Sequence, residues 1–91
     1  MRLQATSINN ANAVELLAAG SAAIAAGDFV FDLQSVTEVD TAAVALLLEW
    51  QRQAIARGGR LQLAGVPADI ASLARLYGVD GLLELGEHSV A

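Results

Sequence analysis

The chain has 91 residues, a formal net charge of −5 at pH 7 and no cysteine. This length is enough for one small domain, and the lack of cysteine excludes disulfides, thiolate nucleophiles and cysteine-ligated metals. The acidic balance argues against nucleic acid or an anionic membrane surface as a partner, and the absence of lysine excludes Schiff-base and P-loop chemistry.

Strand and helix patterns alternate along the chain. In the order strand, helix, strand, helix, strand and helix, they cover residues 2–8, 13–26, 29–33, 41–57, 61–64 and 67–77. Residues 82–85 follow as a short final strand or an irregular apolar segment, and residues 86–91 form a polar tail. This alternation predicts a single α/β domain over residues 1–91, with a mostly parallel or mixed sheet of about four strands and helices packed on it.

The first predicted helix is rich in alanine and contains Gly20. Asn10 or Asn12 is a candidate N-cap for it. Glycine costs about 1 kcal/mol relative to alanine inside a helix, and we expect Gly20 to allow a close approach of this helix to the sheet. The most apolar stretch, residues 16–27, is shorter than the roughly 20 residues that span a bilayer. Because no export signal is visible either, a cytoplasmic location is predicted.

Asp40 and Thr41 lie where a strand passes into the long second helix. Residues of these types cap helices by accepting hydrogen bonds from the free N–H groups of the first turn. The carboxyl ends of strands and the N-termini of helices share one edge of a β-α-β unit, so this edge is the candidate site. Position alone leaves two roles open for Thr41: a cap or first-turn residue, or a hydroxyl that carries a phosphate or contacts a partner.

Leu46 and Trp50 are four residues apart on the long helix, nearly opposite Val44 and Leu48. Either the helix is covered on two sides, or Leu46 and Trp50 are exposed and form a contact patch for a partner. Tyr77, in the last helix, is interpreted as an aromatic residue at the edge of the core with its hydroxyl in water.

Catalytic patterns are scarce. The single histidine, His88, lies in the predicted tail, where it cannot be held in place as a base. Asp32, Glu38 and Asp40 are close in sequence, but a strand places Asp32 too far from Asp40 for a catalytic pair. No Gly-rich phosphate loop, Ser-His pair or metal-ligand spacing is present. We therefore expect a protein that is not an enzyme and that needs no cofactor or metal.

Residues 31–48 resemble the signature of STAS domains, which is a strand ending in Asp-Leu-Ser-x-Val, then Val-Asp-Ser/Thr, then small residues leading into a helix. The corresponding residues of this chain are Asp-Leu-Gln-Ser-Val and Val-Asp-Thr. Leu-Ala-Gly-Val at residues 63–66 and Leu-Ala-Arg-Leu-Tyr-Gly-Val at residues 73–79 are similar to the MlaB-like branch of the family. Members of that branch are small cytoplasmic subunits of the ABC transporter that maintains outer-membrane lipid asymmetry.

The resemblance implies a non-enzymatic accessory subunit that binds and supports the ATPase of a phospholipid-transport ABC complex. It would lie at the inner face of the cytoplasmic membrane through this partner, without inserting into the membrane or binding nucleic acid. The resemblance places the threonine that matches Thr41 at the contact surface. The full set of residues predicted to bind the partner is Asp40, Thr41, Ala42, Ala43, Leu46 and Trp50.

The alternative is an anti-sigma-factor antagonist, in which a partner kinase phosphorylates the hydroxyl that corresponds to Thr41. The small pair after this hydroxyl usually contains glycine, whereas here it is Ala42 and Ala43. Two methyl groups reduce the room for a kinase loop, which weakens the alternative.

Overall fold

The computed structural model describes residues 1–87, so that His88 and the rest of the predicted tail lie outside the described residues. The described residues form five strands, three α-helices and one 3₁₀ turn. In chain order these are β1 (Ser7–Ile8), α1 (Ala13–Ala25), β2 (Val30–Asp32), β3 (Glu38–Val39), α2 (Thr41–Ala56), β4 (Gln62–Val66), α3 (Ala68–Leu76), the 3₁₀ turn (Asp80–Leu82) and β5 (Glu84–Glu87). β5 thus includes the first residues of the segment predicted as a tail. All the described helices fall short of the length and hydrophobicity that a membrane span requires.

Every strand pairing in residues 1–87 is parallel: β1 pairs with β3, and β4 lies between β2 and β5. The N-terminal segment links the two sheets, because the Leu3 N–H donates to the Asp32 carbonyl (2.9 Å) and the Thr37 N–H donates to the Thr6 carbonyl (2.8 Å). β2 and β3 are therefore two halves of one central strand. The predicted α/β fold, with a mostly parallel sheet of about four strands, is confirmed in this form.

A turn divides the central strand into β2 and β3. The Asp32 carboxylate accepts a hydrogen bond from the Gln34 N–H (2.8 Å), and the Val36 N–H donates to the Leu33 carbonyl (3.0 Å). Aspartate side chains often form such local bonds in competition with strand pairing. Asp32 therefore shapes the central strand.

Trp50 is at the centre of the core, with no exposed surface. Its ring meets Phe31 edge to face, with 4.9 Å between the ring centroids, and its Nε1–H donates to the Leu17 carbonyl of α1 (3.3 Å). Leu46, one turn earlier, is also buried. The interpretation of Leu46 and Trp50 as an exposed patch is therefore wrong, because α1 packs over this face of α2 and the helix is covered on two sides.

Gly20 allows α1 to lie this close to α2. A Cβ atom at residue 20 would lie 2.2 Å from Cε2 of Trp50 and 2.3 Å from its Nε1. The expectation that Gly20 faces the sheet is thus corrected, since the close approach is between two helices. Only a residue without a side chain leaves room for the indole ring at this crossing.

Asn12 occupies the N-cap position of α1, as one of the two predicted candidates. Its side chain accepts a hydrogen bond from the Asn9 N–H (3.0 Å) and donates to the Ser7 carbonyl (2.8 Å). It makes no side-chain bond to the first turn of the helix. Asn12 therefore fixes the turn between β1 and α1 instead of capping α1 in the usual way.

Gln51 is buried in α2 and connects this helix to two other parts of the fold. Its Oε1 accepts a hydrogen bond from the Leu61 N–H just before β4 (2.8 Å). Its Nε2 donates to the Leu82 carbonyl in the 3₁₀ turn (3.2 Å). Because an amide side chain carries both an acceptor and donors, a single residue satisfies both backbone groups.

Candidate functional site

Asp40 and Thr41 lie at the carboxyl edge of the sheet, where β3 passes directly into α2. The Asp40 N–H donates to the Ile8 carbonyl (3.2 Å), which ties this point to β1. Asp40 is the N-cap of α2, and its Oδ1 accepts a hydrogen bond from the Ala42 N–H (2.8 Å). Thr41 is the first residue of the helix and is exposed to solvent. The predicted junction is confirmed, with Asp40 as the capping residue and Thr41 free to face outward.

We expect Asp40→Ala to lower the free energy of unfolding by about 1 kcal/mol, because the Ala42 N–H loses its acceptor. Asp40→Asn keeps an acceptor oxygen at the same position and serves as the control, since asparagine caps helices about as well as aspartate. Urea denaturation followed by circular dichroism measures both. An alanine variant as stable as the asparagine variant would show that the cap contributes nothing.

An apolar cleft opens beside Thr41, between the first half of α2 and the segment that follows α3. It has a volume of about 320 Å³. Thr41, Val44, Ala45 and Leu48 line it from α2, and Tyr77 and Val79 line the other wall. Tyr77 is 55% exposed, which agrees with its predicted place at the core edge. We refer to these six residues as the Thr41 cleft.

A second groove lies on the other side of α2, against α1, with a volume of about 280 Å³. We call it the α1–α2 groove; its walls come from the two helices and the turn before α1, with Asn10, Ala13, Val14 and Leu17 on one side and Ala42, Ala45, Leu46 and Glu49 on the other. Ala45 lines both this groove and the Thr41 cleft. The exposed face of α2 is therefore a narrow ridge between two apolar depressions.

The predicted partner-binding residues divide into two groups. Asp40, Thr41 and the partly exposed Ala42 lie together at the carboxyl edge. Ala43 and Trp50 have no exposed surface. Burial excludes these two as direct contacts in this conformation, because positions 43 and 50 fall on the face of α2 opposite Thr41. Leu46 is also buried, where it belongs to the core and lines the α1–α2 groove.

The proximity of Tyr77 to Thr41 was not predicted from the sequence. Tyr77 precedes Gly78, whose φ of +71° ends α3 and starts the return toward Val79. Tertiary packing of α3 against α2 then brings this segment to the Thr41 cleft. Gly78 in the sequence indicates where the helix ends. The sequence does not indicate that Tyr77 and Val79 form a wall of the Thr41 cleft, because this wall depends on the packing of α3 against α2.

Exposed carboxylates collect at the carboxyl edge. Glu38 and Asp40 flank the end of β3, while Glu15 and Asp69 lie in the first turns of α1 and α3. Arg57 follows the last residue of α2, at the opposite end of that helix. Acidic groups at helix N-termini and basic groups at C-termini both suit the helix dipole. The edge that carries Thr41 is therefore acidic.

Glu49 lies one turn beyond Ala45 and forms an ion pair with Arg52. Its carboxylate accepts hydrogen bonds from Arg52 Nε (2.9 Å) and Nη2 (2.5 Å), and from Gln53 Nε2 (3.0 Å). These bonds, with Arg52 first, lower the pKa of Glu49 to about 2. Glu49 is consequently ionised throughout the physiological pH range.

This arrangement is suited to binding. An exposed hydroxyl at the rim of an apolar cleft can contact a partner surface and hydrogen-bond to it. No histidine lies in residues 1–87 to serve Thr41 as a base, and within these residues no group of His, Asp or Glu is placed to hold a metal ion.

Comparison with protein families gives one match. The family model described as "Mlab, STAS domain" matches residues 3–84. The matched range includes the junction at Asp40 and Thr41 and both walls of the Thr41 cleft. Comparison with curated proteins found no match.

Proposed function

Because the chain belongs to the STAS-domain family, we propose that it is an accessory subunit that binds and supports the ATPase of a phospholipid-transport ABC complex. STAS domains are in general non-enzymatic modules for protein interaction, with accessory or regulatory roles. The proposal gives this general role a specific partner. It places the chain at the cytoplasmic face of the membrane through that partner.

The observation that supports the proposal most directly is the Thr41 cleft. It combines a solvent-exposed hydroxyl with an apolar depression, and Tyr77 on its far wall is more than half exposed. Leu76, next to Tyr77, is 75% exposed. Large apolar side chains exposed together on a small domain are typical of interaction sites. Tyrosine is also enriched among the residues that dominate interface energies.

The proposed mechanism is stabilisation by binding. A subunit that binds one folded or assembled state of the ATPase more tightly than the others shifts the equilibrium toward that state. No chemical step by this chain is required. Asp40, Thr41 and Ala42 would make the contact at the carboxyl edge, with Tyr77 and Leu48 in the apolar part.

We expect Thr41→Glu to weaken binding to the ATPase at least tenfold, because it adds a charge beside Asp40 where the interface must lose water. The fold should be retained, since a carboxylate in the first turn of α2 is favourable for the helix dipole. Binding of the purified ATPase to the immobilised full chain measures the effect. Thr41→Ser keeps the hydroxyl and should bind like the wild type.

Ser72→Glu is the matched charge control, because Ser72 is exposed on α3 and does not line the Thr41 cleft. It should leave the affinity unchanged. If Thr41→Glu binds the ATPase as well as Ser72→Glu does, Thr41 is not at the interface. If the wild type does not bind the ATPase at all, the proposed partner is wrong.

The alternative function, an anti-sigma-factor antagonist switched at Thr41, is favoured by one observation. The Thr41 hydroxyl is exposed at the N-terminus of α2, where a phosphate would be stabilised by the helix end. Mass spectrometry of the protein from its native cells tests this. Phosphate on Thr41 would support the switch, and its absence under stress and in growth would exclude it.

A further inference from the structure

The N-terminal segment forms an open edge of the sheet. Residues 2–8 lie against the central strand on one side, through the bridge between Arg2 and Asp32 and the pairing of β1 with β3. Within residues 1–87, no strand pairs with the other side of this segment. An edge strand presents N–H and C=O groups that another strand can pair with, so we refer to residues 2–8 as the N-terminal edge.

Backbone groups of the N-terminal edge are directed to its open side. The groups that bond to the central strand belong to residues 1, 3, 6 and 8. Since successive residues of a strand face opposite sides, Arg2 and Ser7 direct their N–H and C=O groups outward. The Ser7 carbonyl accepts a bond from the Asn12 side chain (2.8 Å), which leaves the Ser7 N–H and both groups of Arg2 for a partner strand. Leu3 and Ile8 are buried in the core, so the side chains of Arg2 and Ser7 lie on the opposite face of the sheet.

The two edges of the sheet differ in charge. The first acidic residue of the chain is Glu15, so the N-terminal edge has none, and Arg2 carries its only charged side chain. β5, the other edge of the sheet in the described part of the chain, contains Glu84 and Glu87. Charged residues on an edge strand disfavour its pairing with a second copy of itself, because like charges meet. The N-terminal edge lacks this protection.

We propose that the N-terminal edge binds a second copy of this chain, with residues 2–8 of the two copies antiparallel about a twofold axis between Gln4 and Ala5. This register places Arg2 of each copy opposite Ser7 of the other copy. Both residues direct backbone groups outward, as a hydrogen-bonded antiparallel pair requires. The inference goes beyond the proposed function, because the contact is between two copies of the chain and needs no ATPase.

Charge complementarity selects this occupant. Ser7 pairs with Glu38 in the sheet of one copy, so the two side chains lie on the same face. Arg2 of the other copy would extend over the small Ser7 side chain toward the Glu38 carboxylate. That carboxylate makes no ion pair or hydrogen bond within residues 1–87. The Arg2 side chain is 64% exposed, with its Nε 3.9 Å from Oδ2 of Asp32. The twofold axis forms the contact between Arg2 and Glu38 twice.

Sedimentation velocity of the full chain, up to millimolar concentration, measures the dimer and its dissociation constant. We expect Arg2→Glu and Glu38→Arg each to weaken the dimer at least tenfold, since each brings like charges together across the interface. The double variant restores opposite charges and should recover most of the lost affinity. Glu15→Arg is the charge-matched control for Glu38→Arg, because Glu15 is exposed on α1, and it should not weaken the dimer. Circular dichroism shows whether each variant is folded.

Three results would overturn the inference. They are a wild type that stays monomeric at millimolar concentration, a folded double variant that dimerises no better than the single variants, and equal weakening by Glu15→Arg and Glu38→Arg. A dimer that Val14→Lys abolishes and Arg2→Glu leaves intact would also overturn it, because the contact would then lie in the α1–α2 groove. None of these results depends on the ATPase, so failure here is distinguishable from failure of the proposed function.

Discussion

We expect Gly20→Ala to destabilise the protein by about 2 kcal/mol, although alanine is the better helix former. Helix propensity alone predicts a gain of about 1 kcal/mol. The added Cβ would lie 2.2 Å from Cε2 of Trp50, well inside any normal contact distance. Overpacking of a tight core typically costs 1–3 kcal/mol and occasionally more, so the steric effect outweighs the propensity.

The clash cannot be relieved by a simple movement of Trp50. The indole ring has no exposed surface, meets Phe31 edge to face and donates a hydrogen bond to the Leu17 carbonyl. A shift large enough to admit the methyl group must separate α1 from α2. We therefore expect a lower melting temperature, by roughly 8–16 °C for a domain of this size.

Thermal and urea denaturation measure this effect, and two further variants test its cause. Gly81→Ala is the control, because a Cβ at residue 81 meets nothing within 4 Å. The double variant Gly20→Ala with Trp50→Phe should recover part of the loss due to Gly20→Ala, since the smaller ring frees space, and a double-mutant cycle quantifies the coupling. Additive effects, or a Gly20→Ala variant more stable than wild type, would contradict the proposed close packing.

Gln51→Leu is expected to cost about 2–3 kcal/mol. It leaves the buried Leu61 N–H without an acceptor and removes the bond to the Leu82 carbonyl. An unpaired buried donor typically costs 1–3 kcal/mol, and the lost bond adds to this. Added apolar surface does not compensate, because leucine cannot satisfy either backbone group.

Gln53→Leu is the matched control on the same helix. Its side chain is partly exposed and bonds only to the Glu49 carboxylate among the described contacts. Substitutions at such surface positions usually change stability by less than about 0.5 kcal/mol. Chemical denaturation of both variants checks the difference. Equal stability of the two would mean that the bonds of Gln51 do not hold the 3₁₀ turn and β4 in place.

Much of the fold could be predicted because its signals are local. Alternating patterns marked the strands and helices, and an aspartate before an apolar helix marked the cap at Asp40. The division of the central strand could not be predicted. The Asp32 carboxylate competes with strand pairing only when the carboxylate and the neighbouring strands are all in their folded positions. The burial of Trp50 could not be predicted either, because α2 is apolar on most sides. Gly20, which is far away in the chain, decides which face of α2 is covered by α1.

The candidate site was predicted in part. Thr41 is at the expected edge because the end of a strand and the start of a helix fix its position. Its neighbours in space were not predictable, since Tyr77 and Val79 come from the segment at the end of α3 and meet α2 only through tertiary packing. Local patterns thus identified the residue, and packing supplied its surroundings.

The two halves of the central strand differ in how easily they open. β2 pairs with β4 on one side and with the N-terminal segment on the other, whereas β3 pairs with β1 over two positions in the described residues. Local opening requires least free energy where few backbone hydrogen bonds hold a segment. Thr41 therefore follows the part of the strand that fluctuates most readily. A partner that binds there would order this edge of the sheet. The conformational entropy lost in that ordering would make the binding free energy less favourable.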